Sequence, residues 1–328
     1  MENYIPPFDM TNKMFELSAE IMENLGKLSN INELEKLPRL RKVSRVKSIH
    51  SSLAIENNTL SYEQVTDIIN GKRVLGPQED IIAVKNAFSA YKELDIVDPY
   101  KVKDLLKIHG IMMNGLVERA GYIRSGDFGV IDSKGNVIHA APPAKMASEL
   151  IEQLFDWVKD ADVQMLIKSS VFHYEFEFIH PFNDGNGRMG RLWQTALLAS
   201  WKPIFKYIPI ESVIKNNQEE YYKAFKISTS EGKSNAFILF MLEVINQAIK
   251  DIVNDSREHY NHLNIQINKL MQVMETYPQS AQQIMDRLKM KSRVSLRKNY
   301  LLPALEAGLI GMTIPEKPTS KNQMYFKI

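Results

Sequence analysis

The twelve residues from His180 to Arg191, read as HPFNDGNGRMGR, constrain this chain more than any other stretch. Pro181 fixes its own φ and biases His180 away from helix. Gly185 and Gly187 flank Asn186, so the backbone can take positive φ and turn its N–H groups outward. Consecutive amides of that kind form an anion-binding concavity. Past the turn, Met189, Leu192, Trp193, Ala196 and Leu197 recur at helical spacing, which predicts a helix from Gly187 to Ser200. Upstream, Leu166, Ser169, Ser170, Phe172, His173, Phe176 and Ile179 fall on one face of a helix expected over Val163 to Ile179. The stretch is therefore a tight loop between two helices, and it feeds the N-terminus of the second, where free amides and the macrodipole favour phosphate.

The charged residues of the loop agree with that reading. Arg188 and Arg191 lie three apart in the first turn of the second helix, where cations oppose the dipole unless an anion is bound. Guanidinium is also the better bidentate partner for phosphate. Asp184 is the only acid in the loop, and a carboxylate beside a phosphate site calls for a bridging cation. Mg²⁺ held by one carboxylate plus substrate phosphates is the usual solution. His180 opens the loop, with an ordinary pKa of ~6.5 suited to proton abstraction near neutral pH. Phe182 is expected to bury its ring beneath the loop.

This stretch resembles the complete signature of the Fic family, HPFx[DE]GNGRxxR. The resemblance implies an all-α bundle with a small β-hairpin flap. It also implies a protein adenylyltransferase that moves AMP from ATP onto a Ser, Thr or Tyr hydroxyl of a target protein. On that pattern His180 would take the hydroxyl proton and Asp184 would hold Mg²⁺. Asn186 and the amides from Gly185 to Gly187 would hold the α- and β-phosphates. Arg188 would meet the β-phosphate and Arg191 the γ-phosphate.

The same letters also spell G-x-G-x-x-G, with Tyr174, Phe176 and Phe178 alternating upstream like a strand and Glu211 downstream as a ribose-binding acid. Two glutamates, Glu175 and Glu177, suit poorly a strand buried on both faces, and Pro209 interrupts the second strand. A Walker A loop is excluded, since no Lys-Ser/Thr pair follows the glycines.

Far upstream, Ser52, Glu56 and Asn57 resemble the family's inhibitory motif, [ST]xxxE[GN]. Ser52 and Glu56 are four apart and are expected on one helical face. The resemblance implies that Glu56 pairs with Arg191 and occupies the place of the γ-phosphate. In some family members this glutamate also orients water to remove AMP, so a bifunctional or chiefly AMP-removing enzyme is the first alternative. A DNA-binding regulator with a nucleotide-sensing Fic core is the second. Tyr221 and Tyr222 resemble the family's tyrosine pair near adenine, and also read as a half-buried pair on an amphipathic helix. Val130-Ile131 and Val137-Ile138 around Ser133-Lys134-Gly135-Asn136 predict a hairpin, in the position where the family has a flap that clamps its target by strand addition.

The remaining chain is helical in pattern. Further helices are expected over Thr11 to Leu28, Ile31 to Leu60, Ser61 to Asn70, Asp80 to Leu94, Tyr100 to Leu116, Ala144 to Lys159, Ile214 to Glu231 and Asn235 to Asn254. Residues 1–79 form the N-terminal helical region with the inhibitory motif, 80–255 the catalytic core and 256–328 a separate module. From Arg257 onward, 11 Lys/Arg against 5 Asp/Glu give +6, whereas the whole chain carries +2. Helices expected from Ser280 to Lys289 and Arg293 to Ala307, then strands at Met312 to Ile314 and Gln323 to Ile328, follow a winged-helix pattern. Its basic residues Arg293, Arg297 and Lys298 suit DNA, and dimerisation or target docking suits the same fold. With no cysteine, the chain has neither disulfides nor thiolate chemistry, which suits the cytoplasm. No signal peptide and no membrane span are expected.

Overall fold

In a computed structural model the described residues are 4–30, 38–126, 129–131, 137–306 and 308–328. The chain forms two compact units, one ending at Ile252 and one covering Val253–Ile328. In the first, α1 (Asn12–Asn30), α2 (Pro38–Ile55), α3 (Tyr62–Ile69), α4 (Gln78–Lys92) and α5 (Val102–Met112) precede a hairpin of β1 (Gly129–Ile131) and β2 (Val137–Ala140). Then come α6 (Ala144–Asp160), α7 (Met165–Ile179), α8 (Asn186–Trp201), α9 (Ile210–Asn216), α10 (Gln218–Glu231) and α11 (Asn235–Val273), whose residues from Val253 onward belong to the second unit.

The pair α7 and α8 forms the centre. Every α7 residue from Leu166 to Glu177 is buried, as is every α8 residue from Arg188 to Ala199. A helix covered on all sides belongs in the core. Phe155, Phe172, Phe176, Phe182 and Trp193 pack as one aromatic cluster with ring centroids 5.4 to 6.2 Å apart. Trp193 satisfies its indole N–H on the Pro99 carbonyl, at 3.0 Å. The loop between α7 and α8 is thus built on two buried helices.

Several boundaries differ from expectation for local reasons. Ser61 caps α3 through a full capping box with Gln64. The segment expected as one helix from Ile214 is two, α9 and α10, broken at Asn217 (φ −123°, ψ 41°), and α9 begins directly after Pro209. The dinucleotide-binding alternative falls: Tyr174 to Phe178 lies within helix α7, and Tyr207 to Ile210, its expected second strand, runs from the end of a 3₁₀ turn into α9. Helix α11 runs nineteen residues past its expected end, and Leu270 in its last turns is fully buried in the second core. The expected hairpin turn, Ser133–Asn136, lies outside the described residues, as does the start of the helix expected from Ile31.

In the second unit β3 (Gln279–Ser280) leads into α12 (Ala281–Arg287), which Ser280 caps with Gln283. Helix α13 (Arg293–Leu296) continues through a π-turn, Arg297–Leu301, into α14 (Leu302–Glu306). Strands β4 (Ile310–Met312) and β5 (Met324–Lys327) complete an antiparallel sheet in the order β3-β5-β4. The third strand was not expected, being only two residues long. Arg293, Arg297 and Lys298 are exposed. Among the described residues no helix is long and apolar enough to cross a membrane.

Candidate functional site

The loop opens with strained backbone. His180 ends α7 in the left-handed region (φ 50°, ψ 61°), where its N–H still donates to the Phe176 carbonyl. For a non-glycine residue that costs about 1–2 kcal/mol, so neighbouring groups must hold it. Arg124 is one. It is 3% exposed, donates from Nε to the His180 carbonyl (2.7 Å) and from Nη2 to the Ile179 carbonyl (3.3 Å). Its backbone N–H donates to the Pro181 carbonyl at 2.9 Å. The same guanidinium donates to the carbonyls of Gly126 (2.8 Å) and Pro142, on either side of the hairpin. One arginine therefore ties both ends of the hairpin to the loop that carries His180.

His109 braces the loop from below. Its ring stacks on Phe182 at 3.6 Å and 7°. Nδ1 accepts from the Gly121 N–H (2.8 Å), so Nε2 carries the proton and donates to the Asp184 carbonyl (3.0 Å). Burial pushes its pKa down to about 4, which keeps this neutral tautomer. Neither His109 nor the role of Arg124 was read from the sequence. A lone histidine on a helix, and an arginine in a loop, carry no periodicity signal.

Asn186 was expected to meet phosphate with its side chain. Instead its Nδ2 donates to the Phe182 carbonyl (2.8 Å) while its Oδ1 accepts the Phe182 N–H (2.9 Å). The side chain is buried and bonded to the loop's own backbone, which shapes the turn. Gly185 sits at φ +84°, and a methyl there would meet Met113 Sδ at 2.6 Å. Asp184 is 58% exposed and pairs with Arg188 Nη2 through both oxygens at 3.1 Å. Arg188 itself is 8% exposed, and its Nε is buried with no hydrogen-bond partner among the described residues.

Glu56 comes to this same turn. Arg191, 2% exposed, donates from Nη2 to Glu56 Oε1 at 2.7 Å and to the Ser52 carbonyl at 3.0 Å, and from Nε to Ser52 Oγ at 3.2 Å. The carboxylate lies over the first turn of α8: a methyl on Gly187 would overlap Glu56 Oε1 and lie 3.0 Å from Arg191 Nη1. An anion is thus already seated at the helix N-terminus, in contact with a buried guanidinium. Beside it a cleft of about 160 Å³ is lined by Glu56, Asn58, Asp80, Asp184 and Arg188, among others.

The expectation that Ser52 and Glu56 share a helical face needs correction. Helix α2 stops at Ile55, and Glu56 is its C-cap. Asn57 follows at φ 64°. Its N–H bonds to the Ala54 carbonyl (3.3 Å) and the Asn58 N–H to the Leu53 carbonyl (3.1 Å), the two bonds of a Schellman motif. That accounts for Asn after the glutamate, since a left-handed C′ position is taken by Gly or Asn.

The tyrosine pair also separates. Consecutive residues on a helix point in different directions. Tyr221 is buried, and its hydroxyl donates to His173 Nε2 (3.1 Å), whose Nδ1 in turn donates to Gln194 Oε1 (2.7 Å). Its ring packs in the core against Phe237. Tyr222 is half-buried, with its hydroxyl accepting from Gln218 at 3.4 Å.

Glu177 lies beneath Arg191. Burial pushes its carboxyl up to about 8, partly offset by Arg191 and reinforced by Glu56. Burial holds nearby His173 down to about 3, so the 3.8 Å contact between them joins two neutral groups. Glu175 is likewise raised by burial to about 7. Acids with raised pKa bind more protons folded than unfolded, so stability falls as pH climbs from about 4.5 through 8. We expect Tm to drop by several degrees between pH 6 and 8.5, and Glu177→Gln to flatten that slope in thermal melts. A slope unchanged by this substitution would remove Glu177 as its source.

Among the described residues no three His, Cys, Asp or Glu side chains gather into a self-sufficient metal site.

Comparison with known proteins agrees with the geometry. Residues 99–198 match the family model described as Fic/DOC family, and residues 265–326 match Filamentation induced by cAMP protein Fic-like, C-terminal domain. A crystal structure of a Fic family protein from Desulfovibrio desulfuricans G20 is 41% identical, covers 99% of this chain and 98% of its own, and superposes with a TM-score of 0.76. A probable protein adenylyltransferase of Aquifex aeolicus (strain VF5) is 24% identical over 283 residues, 84% of this chain and 77% of that one. Protein adenylyltransferase Fic of Drosophila erecta is 28% identical over 212 residues. The match covers 60% of this chain but only 39% of the insect protein's length.

Proposed function

The chain belongs to the Fic family, and we propose that it is a protein adenylyltransferase held inactive by its own Glu56. One observation carries this reading. The carboxylate of Glu56 sits on the anion-favouring first turn of α8, bonded to Arg191 at 2.7 Å, where a nucleotide's terminal phosphate would otherwise bind. The similar proteins of Aquifex aeolicus and Drosophila erecta bear the names of protein adenylyltransferases, which supports the reading.

In the proposed reaction, ATP lays its phosphates along the turn from Gly185 to Arg191. Main-chain amides and Arg188 hold the inner phosphates, and Arg191 meets the γ-phosphate once Glu56 withdraws. The target's hydroxyl oxygen attacks the α-phosphorus while His180 accepts its proton. The bond from the α-phosphorus to the bridging oxygen breaks, and pyrophosphate leaves with that electron pair. Catalysis is mostly positioning and charge stabilisation. Mg²⁺ fits the donor set, with Asp184 its protein ligand, and when bound it would neutralise charge on the phosphates. The hairpin β1–β2, tied to His180 through Arg124, would present the target segment. The absence of cysteine supports a cytoplasmic location, which cell fractionation would check.

The test uses Glu56→Gly with ATP labelled at either the α- or the γ-phosphorus. Protein retaining the α-label but not the γ-label is the expected result. Retention of the γ-label would mean phosphoryl transfer and overturn the reading. An AMP-removing enzyme would instead clear label from a pre-modified target.

A further inference from the structure

The last four carbonyls of a helix have no intrahelical donors, and at the end of α2 each finds one elsewhere. The Ser52 carbonyl accepts from Arg191, and the Leu53 carbonyl from the Glu56 and Asn58 N–H groups. The Ala54 carbonyl accepts from Lys215 Nζ at 3.0 Å as well as from Asn57. The Ile55 carbonyl accepts from Gln218 Nε2 at 3.1 Å. Lys215 and Gln218 also bind each other, Nζ to Oε1 at 2.8 Å. They stand at the end of α9 and the start of α10, so the helix end carrying Glu56 is capped by two side chains from outside it. A cation there is favoured by the macrodipole as well.

We infer that Lys215 and Gln218 are positioning residues for Glu56, and that their capping of the Ala54 and Ile55 carbonyls sets how tightly the site is closed. Glu56 is the C-cap itself, so the direction of its side chain depends on the last turn of α2 keeping its shape. Ser48 and Ser51 bind Glu211 (2.7 Å) and Ser212 (3.1 Å) further back on α2, which holds the helix body whether or not its end is capped. Losing the cap therefore frays the end without releasing the helix. Gln218 also donates to Tyr222 (3.4 Å), so a ligand that draws Tyr222 into the cleft would pull on the same cap. The inference rests on the reading of Glu56 as inhibitory, and its test separates the two.

Lys215→Met, Gln218→Leu and the double variant would be compared with wild type and Glu56→Gly in two assays. Self-labelling from α-labelled ATP is expected to rise three- to tenfold in the double variant. It is expected to add nothing in the Glu56→Gly background, and Lys215→Arg should stay near wild type. A merely destabilised protein loses activity, so a gain is not a folding artefact. Hydrogen exchange of the peptide covering residues 53–58 should quicken at least threefold, with α6 unchanged. Faster exchange with no labelling even from Glu56→Gly would keep the cap and discard the adenylyltransferase reading. Labelling by Glu56→Gly with the double variant silent, or with its exchange at the wild-type rate, would overturn the cap.

Discussion

Glu56→Gly is expected to raise self-labelling from α-labelled ATP by about 10–100-fold over wild type. The contact removed is a hydrogen bond between charged groups, 2.7 Å long, on an arginine that is 2% exposed. Bonds of that kind contribute ~1.5–3 kcal/mol, about one to two powers of ten in the fraction of protein able to seat a γ-phosphate. The substitution should leave the fold intact, because Glu56 follows the last residue of α2 and is partly exposed. Its loss also leaves room beside Gly187. Adding His180→Ala should then lower the rate by about 10²–10⁴-fold, the usual contribution of a general base. The informative comparison is ATP binding: the double variant should bind as Glu56→Gly does, since in the proposed mechanism His180 meets the hydroxyl and not the phosphates. Equal labelling by all three proteins would end the proposed mechanism.

The loop from His180 to Arg191 was legible because its chemistry is local. A proline, two glycines and two arginines dictate backbone and charge within one turn, and no distant residue is needed to read them. The pairing of Glu56 with Arg191, 135 positions apart, was legible only through family resemblance, since spacing alone does not join two helices. The supports were not legible at all. Arg124, His109, Lys215 and Gln218 act by bonding to main-chain carbonyls and amides, which every residue carries, so no sequence pattern marks their partners. The bonds of Asn186 to the Phe182 backbone were hidden for the same reason, since its amide can serve phosphate or main chain equally. The split of α9 from α10 at Asn217 was missed because a one-residue break hardly disturbs helical periodicity. That break places Lys215 and Gln218 on either side of a corner, facing the end of α2.

Arg191→Ala is expected to lower kcat/KM for ATP by about 10–100-fold when made in the Glu56→Gly protein. The background is essential. In wild type the same substitution would remove both the proposed γ-phosphate partner and the anchor of the inhibitory carboxylate, and the two effects oppose each other. With Glu56 gone, only the phosphate contact remains to be lost, a charge-assisted bond worth ~1.5–3 kcal/mol. Arg191 also donates to Ser52 Oγ and to the Ser52 carbonyl, so its removal leaves a buried helix carbonyl without that donor, and thermal melts must accompany the kinetics. Arg191→Lys separates the roles. It keeps a charge for the γ-phosphate but loses the fork that reaches Ser52 and an anion together. A point charge should recover part of the loss, whereas a purely structural role would leave both variants equally poor. The discriminating substrate is ADP, which has no γ-phosphate. If Arg191 meets that group, the gap between Glu56→Gly and Glu56→Gly/Arg191→Ala should be wide in ATP affinity and close to nothing in ADP affinity. An equal loss for both nucleotides would place Arg191 in the scaffold rather than on the substrate.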